Sequence, residues 1–315
     1  MKRLMNIGLI MTLIFSVLLI FGHSIEWNNP IKPMTLSAKT APDEEKIPVL
    51  MYHSISENPA DWNSIVISPE KFYEDMLYVK TMGFNTITSQ ELIAYKNGES
   101  DLPDNPIMVT FDDGYRDNYL YAFPTLEKLE MKAIISVIGW SVGRSKTLDE
   151  KQDILPHFSW EEAKEMVDSG FVDIQNHTFD LHTPADADGY GKGVLPLKEE
   201  NTGQHAERFR SDASMMHEEI KKQLGYEPRL FTYPYGAYNE TTEKVLKELD
   251  YEITLSTEHG IADTKNLFLM KRINTPDGQS GPALMKHITD GEEIPFSNIP
   301  NRKKRIEKLE ELLGL

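Results

Sequence analysis

The stretch MVTFDDGYRDNY, Met108 to Tyr119, decides how the chain is read. Ile107-Met108-Val109 leads an apolar run into two adjacent carboxylates, Asp112 and Asp113, followed by Gly114 and a segment with helical character. An apolar run of that length is a buried strand, and its end at a glycine is where two neighbouring side chains can be turned toward one mouth. An ordinary Asp-Gly turn with solvated carboxylates is the plainer explanation. What favours the sharper one is the company the pair keeps.

Outward from this strand, apolar runs and amphipathic segments alternate from Ile47 onward. IPVLMYH (47–53), FNTIT (84–88), PIMVTFDD (106–113), KAIISVIG (132–139), FVDIQNH (171–177), RLFTYPYG (229–236), YEITLST (251–257) and LFLMKRI (267–273) read as strands. SPEKFYEDMLYVKTMG (68–83) opens with a capping serine and a first-turn proline and closes on glycine, as a helix should. SWEEAKEMVDSG (159–170) shows a capping box, Ser159 with Glu162. Pro124 is expected to kink the helix after the double aspartate. Further helices are expected over 89–98, 211–225 and 239–250. About eight strands, most followed by a helix, predict a distorted (β/α) barrel of seven to eight parallel strands. Two long connections, 141–158 and 183–210, follow strands and should rise on the face where the strands end, the second carrying DADGYGKG.

Composition narrows the function. With 33 basic and 50 acidic residues the chain carries −17, which disfavours nucleic acid and other polyanions as partners. There is no cysteine, so disulfides, thiolate metal sites and cysteine nucleophiles are excluded, and any metal must rest on His, Asp or Glu. Lys2 and Arg3 precede an apolar run, Leu4 to Phe21, that reads as a signal peptide or an uncleaved membrane anchor over residues 1–22. The basic end would stay inside, so the remainder is expected to be extracytoplasmic, secreted or held on the outer face of the membrane. Residues 23–46 read as a linker, 47–290 as the catalytic barrel and 291–315 as a charged amphipathic tail with Ile306, Leu309 and Leu313 on one stripe. That tail is expected to dock on the barrel, with membrane or wall contact as the alternative. The oligomeric state stays open.

QNHTFDLHT places His177 and His182 at and just beyond the end of another strand. Five residues on a helix would set them about 140° apart. On a straight strand they would face opposite ways, so a shared target requires a bend between them. Two histidines at one strand end and a paired carboxylate at another read as His-His-Asp metal ligation, with one carboxylate binding and the other free to act as a base. Three protein ligands leave a position for water and substrate, as a hydrolytic centre needs.

TFDDG (110–114), HTFDLH (177–182) and YPYG (233–236), in this order, resemble the motifs of the polysaccharide deacetylases, carbohydrate esterase family 4 with the NodB-homology domain, over roughly 47–275. The form is most similar to the exported poly-N-acetylglucosamine deacetylase-like branch. The resemblance implies Asp112 as general base and Asp113, His177 and His182 as ligands of a divalent metal, zinc before cobalt, nickel or manganese. It also implies that the Tyr235 backbone N–H contributes to an oxyanion hole and that His53, at the end of the first strand, is the general acid. The implied reaction removes N-acetyl groups from an N-acetylglucosamine-containing polysaccharide and releases acetate. A non-catalytic glycan-binding module and a peptidoglycan or acetyl-ester deacetylase are the alternatives. Three departures stand out: the histidine spacing is five where four is usual, the third motif lacks its usual arginine, and no late histidine motif is evident. His259 and His287 are weak substitutes for the last.

Overall fold

The computed structural model describes residues Lys46–Leu315. The apolar segment 1–22, and all of the linker 23–46 except Lys46, lie outside the described residues. No helix among the described residues is long and apolar enough to cross a membrane.

Eight parallel strands form the central sheet: β1 Val49–Tyr52, β2 Asn85–Thr86, β3 Pro106–Phe111, β4 Ala133–Val137, β5 Val172–Asn176, β6 Leu230–Thr232, β7 Ile253–His259 and β8 Met270–Asn274. Seven close into a barrel in the order β1-β8-β7-β6-β5-β4-β3, with β3 returning to β1. The eighth, β2, pairs beside the start of β3 (Asn85↔Pro106, Thr86↔Ile107) and stays outside the ring. The helices are α1 Pro69–Thr81, α2 Ser89–Lys96, α3 Phe123–Leu129, α4 Trp160–Asp168, α5 Thr202–Leu224, α6 Glu240–Glu248, α7 Gly281–Ile288 and α8 Arg302–Leu313. This is the distorted parallel barrel that the alternating pattern predicts.

Local chemistry sets the helix starts. Ser68 accepts from the Lys71 N–H ahead of α1, and Ser159 and Glu162 form the expected reciprocal box at α4. Pro124 stands in the first turn of α3, and a π-helical turn, Asn118–Ala122, leads into it through helical backbone at Ala122 and Phe123, so the expected helix is continuous there and accommodates the proline by a π-turn. One boundary differs from expectation. The connection expected to run to residue 210 ends at Asn201, whose side chain and Gln204 cap α5 nine residues earlier. The helix α7 has no counterpart among the predicted elements.

Strand alternation sorts the core into two layers. Leu50, Tyr52, Val109, Phe111, Ile135, Val137, Ile174 and Ile273 pack with the buried faces of the helices. Their neighbours Val49, Met108, Ile134, Leu230, Leu255 and Met270 form the barrel's own filling. Following these inward positions along each strand gives polar residues next: Thr110 on β3, Ser136 on β4, Thr232 on β6 and Arg272 on β8, all buried. One more step beyond the strand ends gives His53, Asp112 and His177. Apart from the buried Asp173 and Gln175 on β5, the interior thus runs from an apolar floor to a polar upper rim.

The C-terminal helix α8 packs against α1, with Leu309 buried. Glu74 of α1, fully buried, accepts from Arg305 Nε at 2.5 Å and faces Arg302 at 3.4 Å. A buried carboxylate needs such partners, and here they fasten the end of the chain to the barrel wall.

Candidate active site

The two adjacent aspartates have separate partners. Asp112 extends the inward row of β3, and its backbone N–H donates to the Tyr52 carbonyl (3.0 Å). Its carboxylate receives two parallel bonds from Arg272, Nη1 to Oδ1 at 2.7 Å and Nη2 to Oδ2 at 2.8 Å. Arg272 is 0% exposed, and its remaining donors meet the Ser256 carbonyl (2.8 Å) and Thr110 Oγ1 (3.3 Å). Burial pushes Asp112 upward, but the guanidinium charge and its hydrogen bonds outweigh this and hold the carboxyl below its ordinary range. Arg272 is the cation that the third motif lacks. It arrives from the last barrel strand, which barrel closure places beside β1.

Asp113 is turned differently. Its φ of 75° lies in the left-handed region, and Gly114 follows at 80°. A Cβ at Gly114 would stand 2.8 Å from Val137 Cγ1, so the turn admits no side chain there. The turn aims Asp113 at the two histidines: Oδ1 lies 3.3 Å from His177 Nε2 and 3.2 Å from His182 Nε2. The bend required between those histidines is present at Thr178, whose φ is 75°. His177 is oriented by its Nδ1–H, which donates to the Thr232 carbonyl at 2.7 Å and leaves Nε2 facing Asp113. Asp113 Oδ1 is buried and within ion-pair reach of both rings, yet it accepts no hydrogen bond of acceptable geometry.

These donors fit a metal ion. One ligand atom from each of Asp113, His177 and His182 lies within 4.8 Å of the others. Four ligands at ~2.1 Å around a tetrahedral cation stand roughly 3.4 Å apart. The 3.2 and 3.3 Å separations match that spacing. The donor set, two neutral imidazoles and a carboxylate with an open side, is that of a hydrolytic centre. Burial raises the Asp113 carboxyl, but the two imidazoles, when they carry a proton on Nε2, outweigh it and hold the group well below its usual range.

His53 follows β1, between the strands carrying Asp112 and Arg272, and its Nε2 stands 3.8 Å from Asp112 Oδ2. Burial is the largest influence on it and lowers its pKa, against the opposing pull of Asp112 and Asp113. The opening stretch also positions His53: Asn118 Nδ2 donates to its carbonyl (2.7 Å) and Asp117 accepts from the adjacent Ser54 hydroxyl (2.6 Å). Tyr235 has a φ of 57°, and its ring lies 4.6 Å from that of His182. Its neighbour Gly236 has no room for a Cβ, which would meet Thr257 Oγ1 at 2.1 Å. The six residues to which roles were assigned, His53, Asp112, Asp113, His177, His182 and Tyr235, are therefore at this rim.

His259 and His287 pack edge-to-face on each other, 5.9 Å apart, and neither contacts Asp112 or Asp113 among the described residues. Two further residues flank the centre without having been anticipated. Burial and the Asp113 charge raise the Tyr115 phenol, and burial pushes His157 down to about 4 while Asp113 pulls it up. Their rings are 5.0 Å apart, and a backbone bridge between them ties the 141–158 connection to the turn after the aspartates. The other connection also borders the site, since Gly193 packs against Pro234 of YPYG.

The polysaccharide deacetylase family profile matches residues 99–254. YxkH of Bacillus subtilis, a protein named for the same family, is 30% identical over 244 residues, covering 77% of this chain and 76% of its own. The chain belongs to the polysaccharide deacetylase family. Membership makes it a hydrolase of carbon–nitrogen amide bonds, a polysaccharide N-deacetylase by class. The poly-beta-1,6-N-acetyl-D-glucosamine N-deacetylase of Escherichia coli K12 is 25% identical over 240 residues, 71% of this chain but 36% of that enzyme's length. Among solved structures, IcaB from Ammonifex degensii superposes with a TM-score of 0.64 at 29% identity, covering 76% of this chain and 95% of IcaB.

Proposed function

We propose that this deacetylase is metal-dependent, acts on an extracellular N-acetylglucosamine-containing polysaccharide and releases acetate. The observation that carries this reading is the separation of the aspartates: Asp113 faces two histidines, while Asp112 is held apart by Arg272. The relatives named as poly-beta-1,6-N-acetyl-D-glucosamine N-deacetylases support the polymer class. The basic pair and apolar run at the N-terminus support an extracytoplasmic location.

Asp113, His177 and His182 would hold a divalent cation, zinc before cobalt, nickel or manganese, which when bound would supply Lewis acidity toward the amide carbonyl and acidify the attacking water. Asp112, held by Arg272, takes the proton from the attacking water. The backbone N–H of Tyr235 donates to the oxygen on which negative charge develops. His53 delivers a proton to the departing nitrogen, without which an amine is a poor leaving group. Burial lowers the pKa of the imidazole, which makes it the readier donor once it carries a proton, and Asp112, 3.8 Å away, is the neighbouring group from which it can gain one. The water's proton thus ends on the amine, and acetate and a free amino sugar leave.

Acetate release from poly-N-acetylglucosamine, chitin and peptidoglycan fragments, with and without a chelator, tests the reading. Chelator-sensitive release that is fastest on poly-N-acetylglucosamine is expected. Release that survives complete metal removal, or that occurs on peptidoglycan fragments alone, would overturn it.

A further inference from the structure

The two histidine ligands are secured unequally. His177 has its second ring nitrogen fixed by the Thr232 carbonyl. The His182 ring has no protein hydrogen bond beyond its approach to Asp113 among the described residues, only ring contacts with His177 at 5.0 Å and Tyr235 at 4.6 Å. A ligating imidazole ordinarily gains its orientation from a partner on its other nitrogen. Something else must hold His182, and the backbone between the histidines shows what it is.

That backbone makes a left-handed turn at Thr178, a β-branched residue that disfavours it. Immediately after it, the Phe179 N–H donates to Asp212 Oδ1 and the Asp180 N–H to Asp212 Oδ2, each at 2.8 Å. Asp212 projects from α5, and no Lys, Arg or His nitrogen lies within ion-pair distance of it among the described residues, so its two oxygens are given over to two consecutive amides. The next residue, Ala213, adds a third tie: its carbonyl accepts from Asn176 Nδ2 (3.1 Å), and Asn176 Oδ1 accepts from the Thr178 N–H (2.8 Å). One turn of α5 therefore grips the segment on both sides of the strained residue.

We propose that Asp212 is a positioning residue for metal binding: by clamping the Phe179 and Asp180 amides it sets the five-residue step that brings His182 onto the same cation as His177. It does for His182, through the backbone, what the Thr232 carbonyl does for His177 through the ring. The inference rests on the metal-site reading above and adds to it a residue outside all three motifs.

The test is titration of the metal-free protein with Co(II), followed by its visible absorption, for wild type, Asp212→Ala and Asp212→Asn. Asp212→Ala is expected to weaken Co(II) binding by about 10- to 100-fold, the usual range for losing a residue that orients a ligand. Asp212→Asn keeps one acceptor oxygen in the same shape, folds even if the alanine variant does not, and should fall between the two. The thermal midpoint of the metal-free protein is measured alongside, because a merely structural residue would lower that midpoint and leave the Co(II) affinity of the folded protein unchanged. Wild-type affinity in Asp212→Asn, or in folded Asp212→Ala, overturns the inference alone. A wild type that takes up no Co(II) overturns the site reading and this inference together.

Discussion

Asp113 and Asp173 are both 5% exposed, and both lie at the barrel interior, yet the molecule treats them oppositely. Asp173, near the start of β5, receives the Ser89 N–H (3.0 Å), the Ser89 hydroxyl (2.5 Å) and Gln175 Nε2 (2.6 Å), so both oxygens are bonded. Burial still raises its carboxyl above the ordinary range, since no cation stands by to offset the loss of solvent. Asp113, beyond the end of β3, has a buried oxygen with no hydrogen bond, two imidazole nitrogens aimed at it and a left-handed backbone. A buried carboxylate that is fully hydrogen-bonded closes off the floor of the barrel. One left facing other lone pairs, on a strained turn, is prepared for a ligand that the protein does not itself supply.

The largest expected contrast is in activity. Asp113→Ala or His177→Ala should lose bound metal and reduce acetate release by on the order of 10^3-fold or more. Asp173→Asn should keep metal at one equivalent, as read by elemental analysis. If Asp173→Asn loses metal as fully as Asp113→Ala, the distinction between the two ends fails.

Next in size is Arg272→Met, which strands the buried Asp112 carboxylate and should cost about 3–5 kcal/mol in denaturant unfolding. The double variant Arg272→Met/Asp112→Asn should recover much of that loss, because no unpaired charge remains. The pH dependence follows with a definite sign. Asp112 is depressed in the folded protein, so its ionised form contributes stability above the ordinary carboxylate range, which fades as pH falls toward the lowered value. Removing Arg272 raises that value, so the acid limb of activity should move to higher pH. An unmoved limb would mean that Asp112 is not the base.

His53→Gln should slow amide hydrolysis by about 10^2- to 10^4-fold, the usual worth of a general acid. An acetyl ester with a good leaving group needs no such proton and should be much less affected. Equal losses on both substrates would assign His53 a structural part. The smallest effect expected is the stability cost of Asp173→Asn, about 1–3 kcal/mol, from disturbing its buried bonds without unpairing a charge.

Much of this was legible in the sequence because parallel strands buried on both faces read as continuous apolar runs, and because the residues that matter end those runs. The double aspartate and the bend implied by the five-residue histidine step follow from strand ends, while the early His53 comes from the family resemblance. Arg272 was not legible. In MKRIN it sits beside the exposed Lys271 and looks like half of a solvated charged pair, and its tie to Asp112, 160 residues away, exists only because β8 and β3 both flank β1 in a closed barrel. The early start of α5 was hidden for a related reason: TGQHAERFR is polar, and its Asn201–Gln204 cap carries the signal that its hydrophobicity does not. Asp212 belongs to no motif at all, because what it recognises is backbone.

The assignment of unlike roles to two adjacent aspartates is tested most directly by comparing Asp112→Asn with Asp113→Asn for metal content and acetate release on one N-acetylglucosamine oligomer. Asp112→Asn should retain one equivalent of metal and release no acetate, while Asp113→Asn should lose both. Full turnover in Asp112→Asn, or stoichiometric metal in Asp113→Asn, would contradict it.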